Sequence, residues 1–88
     1  MVLMDKNTVE RHLRNVPSFA TVFKTTRAIT PEFGPAVRKG TKLYNLGGFP
    51  NLFRSSISGA KAGYGHGRMI TLTDADLSAL AFVEYERI

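Results

Sequence analysis

Between Phe19 and Thr25 the chain alternates, with Phe19, Thr21, Phe23 and Thr25 on one side and Ala20, Val22 and Lys24 on the other. A period of two carried by aromatic and β-branched residues belongs to an extended strand, and it predicts a strand over 19–28. One strand cannot cover its own faces, so the rest of the chain must supply partner strands and a second layer. With 88 residues there is room for one such core, and a single domain over 1–88 is expected. Cysteine is absent. That excludes a disulfide framework, Cys-ligated zinc and thiol chemistry, and it agrees with a reducing cytoplasmic setting. The 43% hydrophobic content is that of a globular chain, not a disordered one. No apolar run nears the roughly 20 residues of a membrane span. Asp5-Lys6 also interrupts the apolar start Met1-Val2-Leu3-Met4 before it could serve as a signal peptide. The expectation is a small cytoplasmic protein with no membrane role.

The other elements follow from caps and breakers. Asp5, Asn7 and Thr8 are helix-capping residues, and Val9, Leu13 and Val16 repeat at helical spacing up to Pro17, which predicts a helix over 7–15. Thr30-Pro31-Glu32-Phe33-Gly34-Pro35 is turn chemistry, because each proline drives its predecessor out of the helical region. Further strands are predicted over 41–46, 49–54 and 67–72, separated by Gly47-Gly48 and by the glycine-rich stretch from Ser55 to Gly67. Thr73, followed by Asp74 and Asp76, predicts a capped final helix over 74–86. The class is α+β: a small mixed sheet or partly open β-barrel with an N-terminal and a C-terminal helix.

Within that final helix, about 100° per residue puts Glu84 roughly 20° from Leu77, inside the apolar stripe, and Glu86 on the opposite side. A carboxylate aimed at a core resists ionising, so Glu84 is the candidate general acid/base, expected to be partly buried. The second candidate is the turn of Tyr44, Gly47, Gly48 and Phe49, where paired glycines can expose backbone N–H groups to a carboxylate or an oxyanion. His12 reads as a helix-surface residue and His66 as a loop residue. Neither has cysteines or clustered acids nearby in sequence, so no metal and no cofactor is expected. Charge is uneven along the chain. Residues 1–68 carry eleven Lys/Arg against three acids, whereas 69–88 carry Arg87 against Asp74, Asp76, Glu84 and Glu86. Such a body can attract polyanions, and it can equally pair its own halves.

Taken in order, the segments resemble the gamma-glutamylcyclotransferase-like family. Lys42-Leu43-Tyr44-Asn45-Leu46-Gly47-Gly48-Phe49-Pro50-Asn51-Leu52 is similar to the family's "LYDLGGYPAL" strand and turn, and Gly65 to Thr73 is similar to its "GEVYEL" strand. Leu77-Ser78-Ala79-Leu80-Ala81-Phe82-Val83-Glu84-Tyr85 resembles "LaaLDalEgy", which sets Glu84 at the family's catalytic glutamate. Arg11-His12-Leu13 and Phe19 to Phe23 fall where the family has a helix and a strand. The resemblance covers roughly residues 9–88 and implies a shortened member. The family's opening "YGTL" or "YGSL" loop, whose amides hold the glutamyl group, has no Tyr-Gly counterpart in Met1-Val2-Leu3-Met4. Ala81 also stands where the family usually has Asp.

Three functions compete on these grounds. The first is a small regulatory or inhibitory binding protein with weak or lost catalysis, of the kind a phage or mobile element could direct at a host protein. The resemblance implies the second, an enzyme in which the α-amine of a γ-glutamyl group attacks its own γ-carbonyl. Glu84 would then pass the proton to the leaving nitrogen as 5-oxoproline is released. Such acid–base help is worth about 10²–10⁴-fold, and a missing oxyanion donor costs a comparable 10²–10³-fold or so, so losing the loop weighs as much as keeping the glutamate. The third is nucleic-acid binding through Arg27, Arg38, Lys39, Lys42 and Arg54, interleaved with Phe23, Phe33 and Tyr44. An open sheet edge in so small a core is expected to pair with a second copy, giving a homodimer.

Overall fold

The computed structural model describes residues 5–13, 19–46, 49–57 and 67–87. Among the described residues are one α-helix, α1 (Lys6–His12), and five strands: β1 (Phe19–Thr25), β2 (Lys42–Asn45), β3 (Leu52–Arg54), β4 (Met69–Thr71) and β5 (Leu80–Arg87). A short 3₁₀ helix, Ala75–Ala79, leads into β5. The strands form one open sheet in the order β4-β3-β2-β1-β5, and every pairing is antiparallel. The architecture is α+β as expected. The sheet is purely antiparallel and not mixed, and its ends β4 and β5 stay apart, so no barrel closes.

Several predicted elements form close to their places, each trimmed by a local cause. Asp5 caps α1, its carboxylate accepting from the Thr8 N–H at 2.7 Å, and this hydrogen bond holds its pKa below the usual carboxylate range. The predicted strand over 19–28 ends at Thr25, because Thr26 turns to give both its N–H and its hydroxyl to the Ala79 carbonyl, at 2.7 and 3.0 Å. The strand expected over 49–54 begins only at Leu52, whose N–H closes a turn onto the Phe49 carbonyl. Residues 14–18, at the end of the predicted first helix, lie outside the described residues.

The large correction is at the C-terminal end. The predicted helix over 74–86 is a 3₁₀ turn followed by an eight-residue strand. Its start was legible: the Thr73 hydroxyl accepts from the Asp76 N–H at 3.3 Å. Leu80 then takes an extended conformation, φ −102° and ψ 147°, and the chain runs along the free edge of β1. Phe82, Val83 and Tyr85 favour a strand, and pairing with seven residues of β1 satisfies backbone groups that a helix on top of the sheet would leave unpaired.

That pairing contains one irregularity. Phe82 lies opposite Phe23 and Glu84 opposite Val22, so Val83 is an extra residue, a β-bulge, and is 40% exposed. The bulge reverses the alternation. Leu80 and Phe82 face the core, and strict alternation from them would send Glu84 and Glu86 there too. Instead Tyr85 takes the core side, opposite the buried Thr21, and the glutamates take the other face.

The main core cluster lies on one face of the sheet, while Ala20 and Val22 are buried on the other. Phe23 is its hub, meeting Phe53 edge-on at a ring separation of 5.8 Å, Phe82 at 6.2 Å and His12 at 6.3 Å. Leu43, Leu72, Leu77 and Val9 are buried around it. His12 is therefore not a surface residue: it is half-buried, stacks on Phe82 at 4.6 Å and donates from Nδ1 to the Thr8 carbonyl at 2.8 Å. The connector from β1 to β2 supplies much of the second layer. Ile29 and Val37 form a two-residue bridge and are both buried, while Phe33 exchanges two backbone hydrogen bonds with Thr71 on the outer edge of β4. Gly34 makes that approach possible. Its φ is +108°, and a Cβ there would stand 2.7 Å from the Met69 carbonyl oxygen.

The bulge yields a sharp test. Deleting Val83 leaves every β1 partner in place and is expected to keep the fold with little loss of stability. Deleting Tyr85 brings Glu86 opposite Thr21 on the core side and is expected to cost about 2 kcal/mol or more, a half-buried aromatic replaced by a carboxylate. Urea unfolding of the two deletions checks this. Equal losses would mean that the segment is not paired in this register.

Candidate functional site

The strand registers line up Met69 of β4, Arg54 of β3, Tyr44 of β2, Val22 of β1 and Glu84 of β5 in one row across the sheet. Directly opposed residues point to the same side, so all five lie on the face turned away from the aromatic core. Three of the residues singled out from the sequence, Tyr44, Arg54 and Glu84, thus share one surface. Lys24 and Lys42 face each other one row along, with Ala81 beyond Lys24, and Glu86 lies opposite Ala20 two residues from Glu84. This outer face is polarised, with cations on β1, β2 and β3 and glutamates on β5. Ala20 and Val22, between them, are fully buried although they belong to this face.

Glu84 does not occupy the position expected of it. It is exposed in an edge strand and not set in an apolar helix stripe, and on its strand face its companion is Glu86. Tyr44 stands two strand spacings away, about 10 Å, and Arg54 three, about 14 Å, whereas proton transfer needs contact at about 3 Å. A shallow groove of about 410 Å³ is lined by Phe33, Gly34, Pro35, Arg68 and Met69. It sits at the β4 end of the row, roughly 19 Å from Glu84 across four strand spacings.

The turn after β2 is only partly in view. Gly47 and Gly48 lie outside the described residues. Its two ends are tied together, because the side-chain amide of Asn45 donates to the Phe49 carbonyl at 2.8 Å. Asn45 is 1% exposed and Phe49 is 69% exposed, so a buried amide holds an outward-facing aromatic in place. Tyr44, the other member of that candidate site, is half-buried on the outer face.

The basic residues separate into two groups. Arg27 faces Asp76 at 3.7 Å with its side chain about half exposed, which is worth little. It is the cation that forms an ion pair among the described residues. Arg38 and Lys39 sit on the turn before β2, which is docked on Thr25. The buried Thr25 hydroxyl donates to the Arg38 carbonyl at 2.7 Å and accepts from the Thr41 N–H at 3.0 Å, and the Gly40 N–H donates to the Thr25 carbonyl. This brings Arg38 and Lys39 to the same end of the sheet as Lys24 and Lys42. Lys24 was missed from the sequence. Its place on the Ala20/Val22 face was readable, but its confrontation with Lys42 depends on the β1–β2 register.

Among the described residues no three of His, Cys, Asp and Glu come together as a metal-binding group, and no helix is long and apolar enough to cross a membrane. His66 lies outside the described residues.

The Asn45 tie gives the second prediction. Asn45→Ala removes a buried donor and leaves the Phe49 carbonyl to find another partner, so stability should fall by about 1–3 kcal/mol. Denaturant midpoints of wild type and variant measure it, and an unchanged midpoint would show that the turn does not depend on this bond. Comparison with protein-family models, with curated proteins and with solved structures finds no match to this chain.

Proposed function

We propose that the chain is a gamma-glutamylcyclotransferase-like domain that works as a small binding protein, with catalysis weak or lost, and that its contact surface is the outer edge of β5. The observation that carries this reading is the exposure of Glu84 on an edge strand, with Val22 and Glu86 as its neighbours on that face. An acid/base catalyst needs an enclosed site and a reacting atom held beside it. An edge strand of eight residues is instead a template for strand addition. The opposite edge is less available. β4 has three residues, and Phe33 already takes the backbone groups of Thr71.

The partner proposed for β5 is an extended protein segment with Lys or Arg at alternate positions. Glu84 and Glu86 present two carboxylates on one side of the strand, and a cross-strand cation opposite each is favourable. The homodimer expected from the sequence would use the same edge. Two-fold antiparallel registers centred on Glu84, Tyr85 or Glu86 each set glutamates directly opposite one another, a repulsion that disfavours a second copy in those registers and that a basic partner does not meet.

Two experiments test the reading. The wild-type protein should release no 5-oxoproline from γ-glutamyl amines, and Glu84→Gln should leave stability within about 0.5 kcal/mol, as surface substitutions do. Turnover that vanishes in Glu84→Gln with the fold intact would restore the enzyme. Separately, wild type should prefer an alternating Lys/Val peptide to an alternating Glu/Val one. The double variant Glu84→Lys with Glu86→Lys should reverse that preference. A dimeric mass in solution together with no peptide preference would assign the edge to a second copy.

A further inference from the structure

The outer face carries a second, independent feature on β1 and β2. Lys24 and Lys42 are directly opposed on adjacent strands, both exposed, although like charges in that arrangement repel. The turn bearing Arg38 and Lys39 is fastened to the same end of β1 through Thr25, and Lys24 lies along it: a Cβ on Gly40 would touch the Lys24 Cε at 3.7 Å. Four cations are thereby gathered at one end of the sheet, and none of them has an acidic partner among the described residues. Two residues along β2 from Lys42, on the same face, stands half-buried Tyr44 with Arg54 opposite it. Tyr44 supplies an aromatic ring on this face, and the lysines supply charge for a backbone running past it.

We propose that this end of the outer face binds single-stranded nucleic acid, with Lys24, Lys42, Arg38 and Lys39 contacting phosphates and Tyr44 stacking on a base. The single strand is preferred to a duplex because the charges lie on a sheet surface beside an aromatic ring, and only unpaired bases can stack on that ring. Arg27, turned toward Asp76, takes no part. The reading does not rest on the β5 edge, although Lys24 stands on the strand beside it, opposite Ala81.

The test is fluorescence anisotropy of a labelled oligothymidylate of roughly 20 nucleotides, long enough to cover a site of this kind, titrated over a range of salt. Four phosphate contacts at ~0.7 each predict a slope of log K against log salt near −2.8. Lys24→Gln with Lys42→Gln should shallow the slope by about 1.4 and weaken binding about tenfold at low salt. Its urea midpoint should not fall, since the variant removes a repulsion. Lys24→Arg with Lys42→Arg should retain binding, and Tyr44→Leu should weaken it without changing the slope. Equal affinity for polyglutamate or for duplex DNA, or binding that the glutamine pair leaves intact, would overturn the proposal. So would the absence of binding at low salt.

Discussion

Every other part of the structure depends on the pairing of β1 on both of its edges. Phe19–Thr25 bonds to β2 on one side and to β5 on the other, and all residues from Ala20 to Phe23, together with Thr25, are buried. Phe23 gathers Phe53, Phe82 and His12 on one face, which couples α1, β3 and β5 through a single ring. Aromatic pairs of this kind add about 0.5–1.5 kcal/mol each beyond their buried area. The partner strands come from opposite parts of the sequence, and β5 lies more than fifty residues beyond β1. The central strand is therefore completed only when the last one arrives, which makes the sheet cooperative and its assembly dependent on long-range closure.

The bulge at Val83 settles what that closure does to charge. The same eight residues must bury Leu80 and Phe82 over the hub and yet keep Glu84 and Glu86 out of it, and one unpaired residue reconciles the two. The threonines of β1 act at its other end. Thr25 satisfies its buried hydroxyl on the turn before β2, and Thr26 takes the Ala79 carbonyl just before β5 begins, so both flanking strands are positioned by short polar contacts at the end of β1. No buried side-chain polar atom among the described residues lacks a partner, which fits a core this small, where one orphan group would consume a large part of the stability.

These choices produce an outer face divided by charge. Carboxylates stand on the open edge strand, and cations stand over the middle strands and the turn fastened to them. Ala20 and Val22, opposite Glu86 and Glu84, are buried, and Lys24 follows them on the same strand. Exposed charges of this kind act on molecules that lie along the surface, and both binding proposals draw on that property.

How much of this was legible in the residues differs from place to place. Alternation from Phe19 to Thr25 specified a strand, Asp5 specified where α1 begins, and Thr73 specified a turn of helix ahead of Leu80. Each of these is local, set by steric preference and by hydrogen bonds within three or four residues. Helical periodicity around Leu77, Leu80, Ala81 and Glu84 was also present, and it misled, because Leu80 and Phe82 fit a strand face equally well and eight residues are too few to separate the periods. The free edge of β1 decided the matter, and no property of residues 80–87 announces that edge. The position of Glu84 followed from the same decision: on a helix it would have joined the core, and beside a bulged register it stands in the open. The candidate surface shares this origin. The basic character of the first 68 residues is a property of the sequence alone. The meeting of Lys24 with Lys42, and the row from Met69 to Glu84, exist only because backbone pairing across long loops set the register, and the side chains inherited their neighbours from it.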